Sequence, residues 1–118
     1  MDLSETRAWF SSLSNSDKVI VLLIFMYEIT ILLRTVFLGY ENDSETKSRL
    51  AYHLSEMNHA FTQAALALME GKPTYPDDVL IEILIEHPSD PVLEPYCHDI
   101  LGKAVQRLAS KQQRRTHG

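Results

Sequence analysis

A single cysteine, Cys97, leaves no partner for an internal disulfide, so nothing in the chain calls for an oxidising compartment. Glycine (4) and proline (5) are scarce, and every proline falls within residues 73–95. There is no Gly-rich phosphate loop, no G-x-S-x-G, no H-E-x-x-H and no paired-cysteine motif. The sequence therefore assigns no enzymatic reaction, no cofactor and no metal. The opening residues, MDLSETRAWFSSLS, lack the basic start and apolar centre of a secretion signal, which makes the cytoplasm the expected location. Basic residues are outnumbered: Lys and Arg total 11 against 16 Asp and Glu, for a net charge of −5. An acidic chain is poorly suited to nucleic acid, whose phosphates need a concentrated basic surface.

What the chain does contain is helix-forming sequence. Its 118 residues suffice for one domain with a real core, and 45% of them are hydrophobic. Few breakers and many Leu, Ile, Ala, Glu and Met residues point to an all-α fold. The expected architecture is a small bundle of about four main helices plus a short N-terminal one. A single domain spans residues 1–110, followed by a mobile basic tail at 111–118 that carries no apolar anchor.

The dominant stretch is residues 19–38, VIVLLIFMYEITILLRTVFL, broken only by Glu28 and Arg34. It is too long for a strand, and it sits between Ser14 or Ser16 as N-cap and Gly39 as an expected left-handed C-cap. On a helical wheel Leu22, Phe25, Ile29, Leu32, Leu33 and Val36 form one apolar arc. The other side mixes Asp17, Tyr27, Glu28, Arg34 and Thr35 with Ile20, Ile24, Ile31 and Leu38. Such a helix needs cover on both sides. A membrane span is disfavoured by Glu28 and Arg34 at membrane depth and by flanks without a basic bias. A second cover is a place at the centre of a monomeric bundle; with few other helices to cover it, a homodimer, in which the mixed side meets its symmetry mate, is the favoured expectation.

The remaining helices follow in order. A short one occupies residues 4–11, capped by Ser4. A third runs from Asn42 or Asp43 to Glu70 and ends at Gly71, with Leu50, Leu54, Met57, Phe61, Ala64 and Leu68 alternating at spacings of four and three. That seam packs neighbouring helices at a shallow angle, and the short link from the second helix makes the two an antiparallel hairpin. A fourth helix is expected over residues 74–87, a helical turn at 89–91, and a fifth over 95–110 whose apolar stripe includes Cys97, Ile100, Leu101, Ala104 and Leu108. Gly102 within it reads as a close helix crossing. Tyr52, His59 and Leu66 recur every seven residues on the outer face of the third helix, a second partly apolar surface.

Candidate chemistry gathers around five residues. Glu56 and His59 have the E-x-x-H spacing of di-iron helical bundles, His53 lies one turn before, and Glu28 on the preceding helix offers another carboxylate. A second E-x-x-H is missing, and His53 and His59 point about 120° apart on a helix, which one metal ion bridges poorly. Glu28, alone in an apolar helix, must be paired or hydrogen-bonded if buried; Arg34 of a second copy, His53 and Asn58 are the expected partners. Three functional expectations follow. The first is a non-enzymatic interaction or regulatory protein that homodimerises, through the second helix or the outer face of the third, and binds a protein partner. The second is a small-molecule or metal-binding bundle built on Glu28, Arg34, His53, Glu56 and His59. The third is a DNA-binding regulator, supported only by the basic face of Lys103, Arg107 and Lys111 and opposed by Pro88, Pro91, Pro95 and the acids around them.

Overall fold

A computed structural model describes residues 3–40, 42–73, 76–85 and 92–117. They fold into α1 (Leu3–Ser12), α2 (Asn15–Gly39), α3 (Ser44–Glu70), α4 (Asp77–Ile85) and α5 (Glu94–His117), with no strand among the described residues. The all-α bundle read from composition and periodicity is the observed fold.

Local chemistry sets the boundaries. Ser14 has extended backbone, and its hydroxyl oxygen accepts from the Asp17 amide at 3.2 Å, which starts α2. Asp43 does the same for α3, accepting from the Thr46 amide at 3.1 Å. Hydrogen bonding from the Thr46 side chain first, and from this amide second, holds the Asp43 carboxyl below its usual range. α3 ends in a Schellman arrangement: the Gly71 amide donates to the Leu68 carbonyl at 3.4 Å and the Lys72 amide to Ala67 at 2.9 Å, with Gly71 at φ 70°.

Some boundaries differ from expectation. Gly39 is the last helical residue of α2 rather than a left-handed cap; Tyr40, at φ −115°, closes the helix by donating its amide to Val36. A negative-φ cap suffices because the chain turns directly into the Asp43 cap, whose amide donates to Tyr40. α1 begins at Leu3, so Ser4 stands inside its first turn. α5 starts one residue earlier than expected and continues past Ser110 to His117, because Lys, Gln and Arg favour helix even without an apolar anchor. The outer ends of the fourth helix at Thr74 and His87, and the turn at residues 89–91, lie outside the described residues.

Gly39, Gly71 and Gly102 separate cleanly by backbone. A Cβ at any of them meets nothing within 4 Å, so Gly102 marks no close crossing. Only Gly71 has positive φ. Gly71→Ala is expected to cost about 1 kcal/mol in urea unfolding, through left-handed strain alone. Gly102→Ala, in the interior of α5, is expected to stabilise by about 0.5–1 kcal/mol.

α2 and α3 pair as the expected hairpin, and α5 lies along the other side of α2. The core runs between them: Leu22, Phe25, Ile29 and Val36 from α2 meet Leu50, Leu54, Met57, Phe61 and Ala64 from α3. The Phe25 and Phe61 rings lie 5.3 Å apart, tilted by 55°. Cys97, Ile100, Leu101, Ala104 and Leu108 bring α5 into the same core. α1 packs on α4 and inserts Phe10; Arg7 pairs with Glu82, and Lys18 of α2 with Asp77 of α4 at 3.0 Å.

Cys97 is buried, and burial pushes its thiol from 9.0 up to about 11. A folded-state value above the unfolded one stabilises the fold fully below about pH 9, and the contribution is lost as pH rises toward 11. The wild type is therefore expected to lose about 2 kcal/mol over that window relative to Cys97→Val, measured by urea unfolding at each pH.

Candidate interaction surface on helix α2

Glu28 sits in an otherwise apolar helix, and only 6% of it is exposed. Its partners come from α5 of the same chain. The Arg107 guanidinium donates to Oε1 at 3.0 Å, and the Lys103 ammonium donates to Oε2 at 3.3 Å. Asp99, one turn before Lys103, pairs with it at 3.3 Å. The hydrogen bonds to Glu28 first, and to Asp99 second, raise the Lys103 ammonium above its ordinary value. Arg107 also stands over the Tyr27 ring, 5.9 Å from its centroid.

This geometry corrects three expectations. Arg34 of a second copy, His53 and Asn58 are not the partners of Glu28. Glu28 and Arg34 are six residues apart, which separates them by about 120° around the helix, and α5 fills the sector that Glu28 faces. Lys103 and Arg107, read from sequence as a basic face for nucleic acid, direct their charge at Glu28. The side chain of Lys111 lies outside the described residues. Residues 99, 103 and 107 fall at the i, i+4 spacing on the margin of the α5 apolar stripe, which was the available signal for this clamp.

The clamp fixes how α5 lies on α2. Two acids and two bases balance there, so the site carries no surplus charge for an ionic ligand. Open clefts flank it along α2. One of about 380 Å³ is lined by Ile20, Leu23, Ile24, Tyr27 and Arg107. The other, of about 200 Å³, lies against Ile31, Thr35, Tyr96, Asp99 and Lys103.

The other candidate residues are dispersed. His53 is half-buried with its ring edge-on to Tyr52, 5.8 Å between centroids. Glu56 and His59 are exposed on α3, and Arg34 is exposed on α2. Glu28 is not brought together with His53, Glu56 or His59. No group of three His, Cys, Asp or Glu residues that could hold a metal ion occurs among the described residues.

The feature that stands out is apolar. One side of α2 is buried from Val21 to Val36. The opposite side exposes Leu23 (49%), Tyr27 (58%), Ile31 (44%) and Leu38 (72%). Counted at about 100° per residue, these four fall within roughly 80° of arc and form a stripe rather than scattered hydrophobes. Leu23 adds to the Tyr27, Ile31 and Leu38 expected from the sequence. By length and composition α2 is also apolar enough to cross a membrane, a test that a soluble core helix passes equally. On α3, Tyr52, Leu66 and Met69 are exposed on the outer face. Comparison with protein-family models, with curated proteins and with solved structures returns no match, so the functional reading rests on these residues themselves.

Proposed function

We propose that the protein is a non-enzymatic interaction module that works as a cytoplasmic homodimer, with the exposed stripe of α2 covered by a second copy. The observation that carries this reading is the stripe of Leu23, Tyr27, Ile31 and Leu38, directly opposite the buried side of the same helix. Leaving it in water costs about 25 cal/mol for each Å² of apolar surface, and a partner removes that cost. The ion pairing of Glu28 within the chain supports the reading, because the charge in the middle of α2 is withdrawn from the stripe. In the same reading, the outer face of α3, with Tyr52, Leu66 and Met69, is the surface presented to a protein partner.

Sedimentation equilibrium in detergent-free buffer tests the proposal. The expected mass is twice 13.5 kDa. A monomer that persists to several hundred micromolar sinks it. Ile31→Arg is expected to give a monomer with unchanged helicity, whose unfolding free energy lies within about 0.5 kcal/mol of wild type diluted until it too is monomeric, since an exposed side chain contributes little to the fold of one chain.

A further inference from the structure

The stripe on α2 has an order of its own. Leu23 and Tyr27 are four residues apart, Tyr27 and Thr30 three, Ile31 and Arg34 three, and Arg34 and Leu38 four. Read backwards, the spacing is the same. Thr30 and Arg34 are exposed along with the apolar members; Thr35 and Phe37 are exposed on α2 as well, and their counterparts in the reversed series are the half-buried Met26 and Ile24. A two-fold interface brings the same patch of both copies together, and two helices reversed about a point between residues 30 and 31 superpose this series on itself.

Resting on the homodimer reading, we infer that two copies pack α2 against α2 in antiparallel register, with Tyr27 receiving the partner's Arg34 and Leu23 meeting the partner's Leu38. The chemistry of each pair agrees with its position. Leucine meets leucine at both ends. In the centre Ile31 meets the partner's Thr30, a small side chain that lets the backbones approach. Arg34 is the cation left over on α2: Lys18 pairs with Asp77, Glu28 is taken by Lys103 and Arg107, and Arg34 has no ion-pair partner among the described residues. No acid lies within the stripe to receive it. An aromatic ring does, and a guanidinium stacks well on one. Arg107 already stands over the Tyr27 ring, yet more than half of Tyr27 is exposed, which leaves room for a second cation. A parallel pairing would instead set Arg34 against the partner's Arg34 with no aromatic ring between the two charges.

Two single-cysteine additions read the register. Leu23→Cys and Leu38→Cys proteins are mixed under mild oxidation, with wild type as the control for the buried Cys97. The expected result is a disulfide-linked dimer in the mixture at least tenfold more abundant than in either protein alone. In the inferred register, residue 23 lies about 22 Å along the axis from the partner's residue 23, too far for a disulfide. Preferential self-linking of Leu23→Cys indicates a parallel pairing and overturns the inference. If both variants sediment as dimers and the mixture gives no excess cross-link, the register is wrong while the dimer stands. If they are monomers in buffer and pellet with phosphatidylcholine vesicles, a lipid surface covers the stripe, and both the register and the dimer fall.

Discussion

Arg107→Met will destabilise the protein by about 2 kcal/mol, whereas Glu28→Leu will leave it within about 1 kcal/mol of wild type. The asymmetry follows from where each charge sits. Glu28 is inside, and its Oε1 depends on the Arg107 guanidinium. Removing the guanidinium strands a desolvated carboxylate oxygen, and a buried charge without its partner is costly. The reverse substitution removes the carboxylate itself. Arg107 is half-exposed and returns to water, while Leu fills a similar volume in apolar surroundings. Adding Glu28→Leu to Arg107→Met is therefore expected to recover most of the loss. Urea unfolding of both single variants and the double one closes the cycle. An Arg107→Met protein as stable as wild type would show that Glu28 does not depend on this pair.

Phe61→Ala will have the larger effect, about 4 kcal/mol. Phe61 is fully buried at the centre of the α3 seam and in tilted contact with Phe25 of α2. Truncation removes the transfer free energy of the ring, leaves a cavity and breaks an aromatic pair. A domain of this size holds about 5–15 kcal/mol in total, so the variant will be marginal at 37 °C. Tyr52→Ala, on the outer face of the same helix, is the matched control and is expected to shift stability by less than about 0.5 kcal/mol. Equal losses at the two positions would mean that α3 does not pack through this seam.

The fold is legible in the sequence because its signals are local. The four-three spacing of α3, the caps at Ser14 and Asp43 and the glycine at 71 each depend on residues within a turn or two. The end of α2 departs from expectation because glycine after a helix is only a preference. Tyr40 ends it with ordinary backbone, and Gly39 stays helical. The surroundings of Glu28 are the least legible. A buried carboxylate announces that it needs a partner, but not which one. The answer depends on the azimuth of α5, 75 and 79 residues along the chain from Glu28. Periodicity places Lys103 and Arg107 on the margin of a stripe, where facing water and facing a neighbouring helix look alike in sequence. Wheel geometry sets Glu28 about 120° from Arg34, so taking both as one mixed side of α2 overlooks a division that the docking of α5 makes plain.

The central claim is that α2 has one side closed within the chain and another closed by a second copy. Hydroxyl-radical footprinting across a concentration series tests it at the side chains concerned. Leu23, Tyr27, Ile31 and Leu38 should lose reactivity together as concentration rises, while Tyr52, Leu66 and Met69 on α3 stay reactive. Labelling of the α2 stripe that does not change with concentration, at levels matching its exposure in the single chain, would contradict the account.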